Sequence, residues 1–294
     1  MLLSQLKIKF LNFLKDEYPV QEVNSFFNLL TECYLGMSRL DFALKPGKEL
    51  SFEEKEKFES AIHRLSQHEP IQYIIGETEF FGLKFKVDEN VLIPRPETEE
   101  LVQWILDDIG ESKNPSNLKI LDIGTGSGCI AVSLAKNLSN AEIFALDISE
   151  KALKTAGENA GLNKVKVNFI QADILNQEAL TGKFDIIVSN PPYVRETEKA
   201  EMHRNVLENE PDLALYVKDT DPLIFYRKIT KLATEGQNKN GNLYFEINQY
   251  LAGETEEILK NFDFETELKK DIFGNYRMLR GSKKSNNGIL KDKF

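Results

Sequence analysis

A chain of 294 residues that is 41% hydrophobic and 29% charged has enough apolar material for one large globular core or two smaller ones. Asp and Glu outnumber Lys and Arg by 47 to 37, a net charge of −10, which argues against a surface built to grip duplex nucleic acid through its phosphates. The two cysteines, Cys33 and Cys129, and the three histidines, His63, His68 and His203, lack the spacing of a disulfide framework or a metal site, so a reducing compartment and no metal are expected.

At the N-terminus, Lys7, Lys9 and Lys15 interrupt any secretory apolar run. No stretch approaches the ~20 apolar residues that cross a bilayer. A cytoplasmic protein without membrane contact is expected.

Residues 1–75 carry helical periodicity. Leu3, Leu6, Phe10, Phe13 and Leu14 recur at helical spacing, as do Val23, Phe26, Phe27 and Leu30. Ser51 with Glu54 forms a capping-box pattern opening a helix that bears Phe58, Ala61, Ile62 and Leu65. Together these predict a small helical bundle. Thr78 to Phe81 and Leu83 to Val87, rich in aromatic and β-branched residues around Gly82, predict a hairpin. With Ile93-Pro94-Arg95-Pro96 this makes 76–96 a structured linker.

From Glu97 helix and strand patterns alternate. Helix is expected over 97–108, strand at Lys119 to Ile123, a glycine loop, then helix through Ala135. Strand follows at Glu142 to Leu146, with Ser149 capping the next helix. Further strands are expected at Val165 to Ile170, Phe184 to Ser189 and Asn242 to Ile247, and Asp221-Pro222 reads as the start of a helix bearing Leu223, Tyr226 and Ile229. Phe264 to Lys269 and Tyr276 to Arg280 suit an antiparallel pair at one sheet edge. The alternation predicts an α/β fold, a doubly wound and mainly parallel sheet, over 97–282, with a polar tail at 283–294.

Gly124-Thr125-Gly126-Ser127-Gly128 stands where a strand ends and a helix begins, where glycines let backbone approach a ligand and N–H groups face it. The spacing is not that of dinucleotide binders. Asp147 closes the next strand 23 residues after Gly124, where a carboxylate accepts from ribose hydroxyls; this suits S-adenosyl-L-methionine as well as NAD. Asp173 and Ile174, beyond the third strand, could meet an adenine amino group and ring, although an acid in a loop after a strand is also an ordinary turn residue.

Asn190-Pro191-Pro192-Tyr193 decides between the cofactors. It ends the fourth strand, at the crevice outside the strands' carboxyl ends. An amide or aromatic amino nitrogen is planar and a poor nucleophile. The Asn190 side-chain oxygen and the Pro191 carbonyl can each accept one of its N–H bonds, aligning it with a sulfonium methyl and stabilising the positive charge that grows on it. The prolines stiffen the loop, and Tyr193 offers the acceptor a flat face. Asn190, Pro191, Pro192 and Tyr193 are therefore the expected catalytic and substrate-binding residues. Gly124 to Gly128, Asp147, Asp173, Ile174 and Asn190 are the expected cofactor contacts.

These residues resemble the class I methyltransferases of amide and amino nitrogens. Pro70-Ile71-Gln72-Tyr73-Ile74-Ile75-Gly76, Phe80-Phe81-Gly82, Ile93-Pro94-Arg95-Pro96-Glu97-Thr98-Glu99, Glu210-Pro211 with Ala214-Leu215, and Asp271 with Gly274 and Arg277 resemble the release factor glutamine methyltransferases, the HemK/PrmC family, over nearly the whole chain. The resemblance implies a Rossmann-like class I methyltransferase sheet; the helical bundle, from its position before the motif-bearing linker, is expected to be a substrate-docking domain. It implies N5-methylation of the glutamine in the Gly-Gly-Gln motif of class 1 peptide chain release factors, with S-adenosyl-L-homocysteine as product. Ile174 departs from relatives that place an aromatic residue there. Arg95, Glu97 and Thr98 suit either the active-site mouth or a plain helix entrance. Glutamine methylation of a ribosomal protein, adenine-N6 DNA methylation and a cofactor-binding adaptor of the translation machinery are the rivals; a monomer that needs no nucleic acid is expected.

Overall fold

The computed structural model describes residues 1–111 and 117–283 and divides into two compact units. The helical unit holds Met1–Glu77 with Met202–Asn209, and the α/β unit holds Thr78–Glu201 and the chain from Glu210 onward. The expected tail lies, from residue 284, outside the described residues.

The helical unit contains α1 (Leu3–Leu14), α2 (Val20–Leu35), α3 (Arg39–Leu44), α4 (Phe52–Ser66) and α5 (Ile71–Ile75). Leu3, Leu6, Phe10 and Leu14 share one face of α1 and are wholly buried against Val23, Phe27 and Leu30 of α2 and Phe58 and Leu65 of α4. Phe13, expected on that face, is 54% exposed, because the stripe passes through Phe10 and Leu14 and leaves position 13 outside it. Ser51 and Glu54 form the capping box: Ser51 Oγ accepts the Glu54 amide at 3.1 Å, and the Ser51 amide donates to the Glu54 carboxylate at 2.8 Å.

β1 (Glu77–Phe80), which enters the α/β unit at Thr78, and β2 (Leu83–Lys86) form a hairpin. Phe81, expected in the first strand, instead turns the corner with Gly82. Both have positive φ, 51° and 69°, as a two-residue turn between right-twisted strands demands. There follow α6 (Pro96–Glu111), β3 (Lys119–Ile123), α7 (Cys129–Asn137), β4 (Glu142–Asp147), α8 (Glu150–Leu162), β5 (Asn168–Gln171), β6 (Phe184–Ser189) and β7 (Val194–Arg195). After α9 (Arg204–Asn209), which belongs to the helical unit, come α10 (Asp212–Leu215), β8 (Tyr216–Val217), α11 (Ile224–Gly236), β9 (Gln237–Glu246), α12 (Ala252–Asn261), β10 (Phe264–Lys270) and β11 (Tyr276–Lys283).

Seven strands make one sheet in the order β10-β11-β9-β6-β3-β4-β5. The pairs from β9 through β5 are parallel; β11 pairs antiparallel with both β9 and β10. Alternation puts Ile120, Ile186, Val188 and Tyr244 on one face under α6 and α7, and Leu121, Ile187, Leu243 and Phe245 on the other under α11 and α12. From β3 the chain first builds outward through β4 and β5, then returns to place β6 on the other side of β3. The β3–β6 boundary is thus the topological switch point, and the crevice beyond its strand ends is where such sheets bind ligands.

Three element starts differ from expectation by more than one residue. β9 begins at Gln237 rather than Asn242, with a register shift between Phe184 and Ile186 where it pairs with β6. β5 begins at Asn168 because the Val165 amide donates to the Ala160 carbonyl at 3.0 Å, closing the end of α8. α11 begins at Ile224, and the Asp221 carboxylate holds the Arg227 guanidinium at 2.9 and 3.1 Å rather than capping the helix.

Candidate active site

The glycine loop hangs from the end of β4. The Gly124 and Thr125 amides both donate to the Leu146 carbonyl, at 2.8 and 3.0 Å. Gly124, Gly126 and Gly128 have φ of 74°, 54° and 80°, so the backbone alternates through conformations that side chains strain. A Cβ placed on Gly124 or Gly126 would meet nothing within 4 Å, whereas one on Gly128 would lie 3.0 Å from Ala156 Cβ. Gly128 lets α7 and α8 approach; the other two leave open space beside the loop.

That space is a cavity of about 450 Å³, a volume suited to a small molecule of nucleoside size. Gly124, Thr125, Gly126, Ser127, Asp147, Asp173, Ile174, Asn190, Pro191 and Pro192 all line it. Gly128 does not line it, and neither does Tyr193. Among the expected residues, then, the fold brings all but these two to one chamber.

Asp147 accepts the Gly126 amide on Oδ2 and the Ser149 amide on Oδ1, each at 2.9 Å. A carboxylate has about four acceptor positions, so two remain for a ligand. Asp173 accepts the Leu175 amide at 2.9 Å and the Asn176 side-chain amide at 2.6 Å, capping a short turn, while still facing the cavity. Ile174 is buried in the core and supplies an aliphatic wall. Burial pushes the Cys129 thiol up to about 12, so the cavity holds no ready thiolate nucleophile.

A second, smaller cavity of about 50 Å³ shares Leu92, Arg95, Asn190, Pro191 and Ala214 with the first and adds Tyr193 and Glu246. Asn190 and Pro191 thus stand between two chambers of very different size. The Ser189 hydroxyl donates to the Ile123 carbonyl at 2.7 Å, tying the ends of β6 and β3 together directly before Asn190. Downstream, β7 pairs with β8, and Asn248 Nδ2 donates to the Tyr193 carbonyl at 3.1 Å. The loop is held at both ends.

Three groups here were given no site role from the sequence. Glu246, at the end of β9, is 2% exposed and accepts the Thr98 hydroxyl at 2.6 Å and the Tyr193 hydroxyl at 3.1 Å. Burial raises its carboxyl above the usual range, while Thr98, Tyr193 and the Arg277 charge pull it back down. Its signal was a lone carboxylate in the apolar run Leu243-Tyr244-Phe245-Glu246-Ile247. Tyr193, tied by its hydroxyl, titrates above the usual range, chiefly through burial and then the Glu246 charge.

Asn159 is wholly buried: Nδ2 donates to the Ser127 and Lys86 carbonyls at 2.9 and 3.0 Å, and Oδ1 accepts the Lys86 amide at 2.7 Å. It staples the hairpin to the glycine loop, and an Asn in a helix carries no sequence mark of such a role. Glu210, with its side chain 1% exposed, pairs with Arg95 at 2.5 Å and accepts the Ile93 amide at 3.3 Å, fastening the proline segment at the cavity rim. Arg95 and Thr98 line the larger cavity and Glu97 does not.

Residues 103–213 match the family model described as the methyltransferase small domain, and residues 8–76 match that of the PrmC N-terminal domain. The chain is 54% identical to the release factor glutamine methyltransferase of Flavobacterium psychrophilum, covering 95% of this chain and 99% of that protein. It belongs to the release factor glutamine methyltransferase family. A second member, from Bacteroides thetaiotaomicron, is 45% identical over 92% of this chain and 96% of its own length. Among solved structures, a methyltransferase from Pyrococcus furiosus superposes with a TM-score of 0.52 at 17% identity, covering 76% of this chain and 98% of that one, a likeness of fold. The sheet order, the glycine loop and the Asn190 block are thus found in a chain whose relatives are methyltransferases. Among the described residues no helix is long and apolar enough to cross a membrane, and no cluster of His, Cys, Asp and Glu could hold a metal ion.

Proposed function

We propose that this chain transfers the methyl group of S-adenosyl-L-methionine to the side-chain N5 of the glutamine in the Gly-Gly-Gln motif of class 1 peptide chain release factors, releasing S-adenosyl-L-homocysteine. The observation that carries the reading is the position of Asn190 and Pro191 on the shared wall of a nucleoside-sized cavity and a small slot. The family's name favours a release factor over a ribosomal protein or DNA.

The residues present suit the cofactor. The open space beside Gly124 and Gly126 is a cradle that any side chain would fill. Thr125, Ser127 and Gly128 hold the loop's shape, Asp147 accepts from ribose hydroxyls, and Asp173 and Ile174 meet the adenine end. When bound, the cofactor supplies an electrophilic methyl group on a sulfonium.

The chain's own task is to make a planar amide behave as a nucleophile. Asn190 Oδ1 and the Pro191 carbonyl accept the two N–H bonds of the glutamine amide and fix its nitrogen in line. As positive charge grows on that nitrogen, the same two oxygens stabilise it, and the largely apolar walls strengthen the effect. Pro192 stiffens the loop and Tyr193 flanks the acceptor. No strong base is needed: the methylated nitrogen is acidic and releases its proton to water. The helical unit docks the rest of the release factor, so a chain lacking residues 1–75 is expected to bind cofactor yet methylate whole release factor slowly. The enzyme acts as a cytoplasmic monomer and needs no nucleic acid.

Mass spectrometry of a release factor incubated with the enzyme and cofactor tests the assignment. One added methyl on the motif glutamine, absent when that glutamine is replaced by glutamate, is the expected result. Equal methyl transfer to DNA, or none to the release factor, would overturn it.

A further inference from the structure

The side chain of Asn190 makes one hydrogen bond among the described residues: Nδ2 donates to Thr98 Oγ1 at 3.3 Å. Thr98, 2% exposed on the first turn of α6, places the same oxygen 2.6 Å from Glu246 Oε2. The other carboxylate oxygen, Oε1, accepts from the Tyr193 hydroxyl. These contacts have a direction. A threonine hydroxyl has one proton, and an ionised carboxylate only accepts. With its proton committed to Glu246, Thr98 has only lone pairs to offer Asn190, and the amide end of Asn190 must turn toward it.

The two ends of a carboxamide are nearly equal in size, so shape alone does not choose between them. Choice matters at this position. With Nδ2 toward Thr98, Oδ1 is left to the cavities as an acceptor; with the amide reversed, two N–H bonds would point at the N–H bonds of the substrate.

We infer that Glu246 and Thr98 are positioning residues: the buried carboxylate polarises the Thr98 hydroxyl, and the hydroxyl sets the Asn190 carboxamide with its oxygen facing the methyl acceptor. Neither residue touches the reacting nitrogen in this scheme. The inference rests on the reading of Asn190 as the acceptor of the substrate amide. It also explains why β9 ends on a buried acid and why α6 begins with a threonine turned inward. Tyr193 shares the same anchor, so one carboxylate holds both the hydrogen-bonding residue and the flat residue of the loop.

The test compares Thr98→Val, which keeps the shape without the hydroxyl, with Thr98→Ser, which restores the hydroxyl. Thr98→Val is expected to lower kcat about 10- to 100-fold, as misplacement of a positioning group does, with cofactor Kd within about threefold of wild type. Thr98→Ser should return to within about threefold of wild type. In the Asn190→Ala background Thr98→Val should cause no further loss, because the two act as one unit. The Asn190 side-chain NH₂ signals, identified by their loss in Asn190→Ala, should move in the ligand-free Thr98→Val enzyme and stay in place in Thr98→Ser. Should Thr98→Val fail to fold, Thr98→Ala carries the same test, since it also removes the hydroxyl that faces Asn190. Wild-type turnover in Thr98→Val, losses that multiply with Asn190→Ala, or unmoved NH₂ signals would each overturn the inference. Failure of the wild-type enzyme to methylate a release factor would instead strike the substrate assignment, while the ligand-free spectra would still decide the relay.

Discussion

The Gly126 amide donates to Asp147 Oδ2 at 2.9 Å, so the glycine loop after β3 and the acid ending β4 form one rigid rim. The acid proposed to accept from a ribose also shapes the loop beside it. Asp147→Ala therefore removes two acceptors from the ligand and frees the Gly126 and Ser149 amides together. Cofactor affinity should fall about 10- to 100-fold, from hydrogen bonds to a charged acceptor worth about 1.5–3 kcal/mol each with partial compensation by water. Calorimetric titration checks this, and unchanged affinity would remove Asp147 from the site.

Asn190→Ala should separate binding from chemistry. The cavity keeps its glycine rim and Asp147, so cofactor affinity should change by less than about threefold, while kcat should fall about 100-fold or more, as when one group aimed at developing charge is removed. Single-turnover kinetics at saturating cofactor measure the second effect. A loss confined to cofactor binding would contradict the assigned role.

Gly128 and Gly126 should respond differently to alanine. At Gly128 the new methyl would sit 3.0 Å from Ala156 Cβ and 3.3 Å from Ala156 Cα at a φ of 80°, so strain and overlap combine. A destabilisation of about 1–3 kcal/mol is expected, read as a lower urea midpoint. At Gly126, with φ of 54° and open space beside it, the methyl would point toward the cavity and cofactor affinity should suffer more than folding does. Equal behaviour of the two variants would refute this division.

Folding should carry the titration of Asp122. Burial pushes its carboxyl up from 3.8 to about 7; the Thr125 hydroxyl and the Ala131 amide pull it down, and the Asp147 charge adds to the rise. Cys129 is a further titratable neighbour. A raised value means that the native state keeps a proton the unfolded chain releases. The contribution to stability is complete below about pH 4 and is lost as pH rises through about 7. Its ceiling is on the order of 4 kcal/mol. Urea midpoints of ligand-free wild type and Asp122→Asn, measured at about pH 5.5 and about pH 8, should show wild type losing ground to the variant at the higher pH. A constant difference would mean that the carboxyl is ionised throughout.

Much was legible from order along the chain. Helix caps such as Ser51 and Ser149 depend on neighbours three residues away, and strand alternation depends on the next residue but one. The glycine loop, Asp147 and the Asn190 block could be placed because each ends a strand, and a doubly wound sheet delivers strand ends to one crevice. Phe13 and Phe81 escaped for local reasons: helix phase by one residue, and an aromatic side chain accepting a left-handed turn.

The order of residues alone determined most of the groups that reach the crevice, Gly128 and Tyr193 excepted, because periodicity and strand-end position are properties of short segments. Only the tertiary structure decided how those groups are held. Thr98 and Glu246 are 148 positions apart, Lys86 and Asn159 73, and Arg95 and Glu210 115. No local pattern encodes a partner that distant. Such contacts form because packing excludes water from at least one partner of each pair and leaves it only other protein groups to satisfy it.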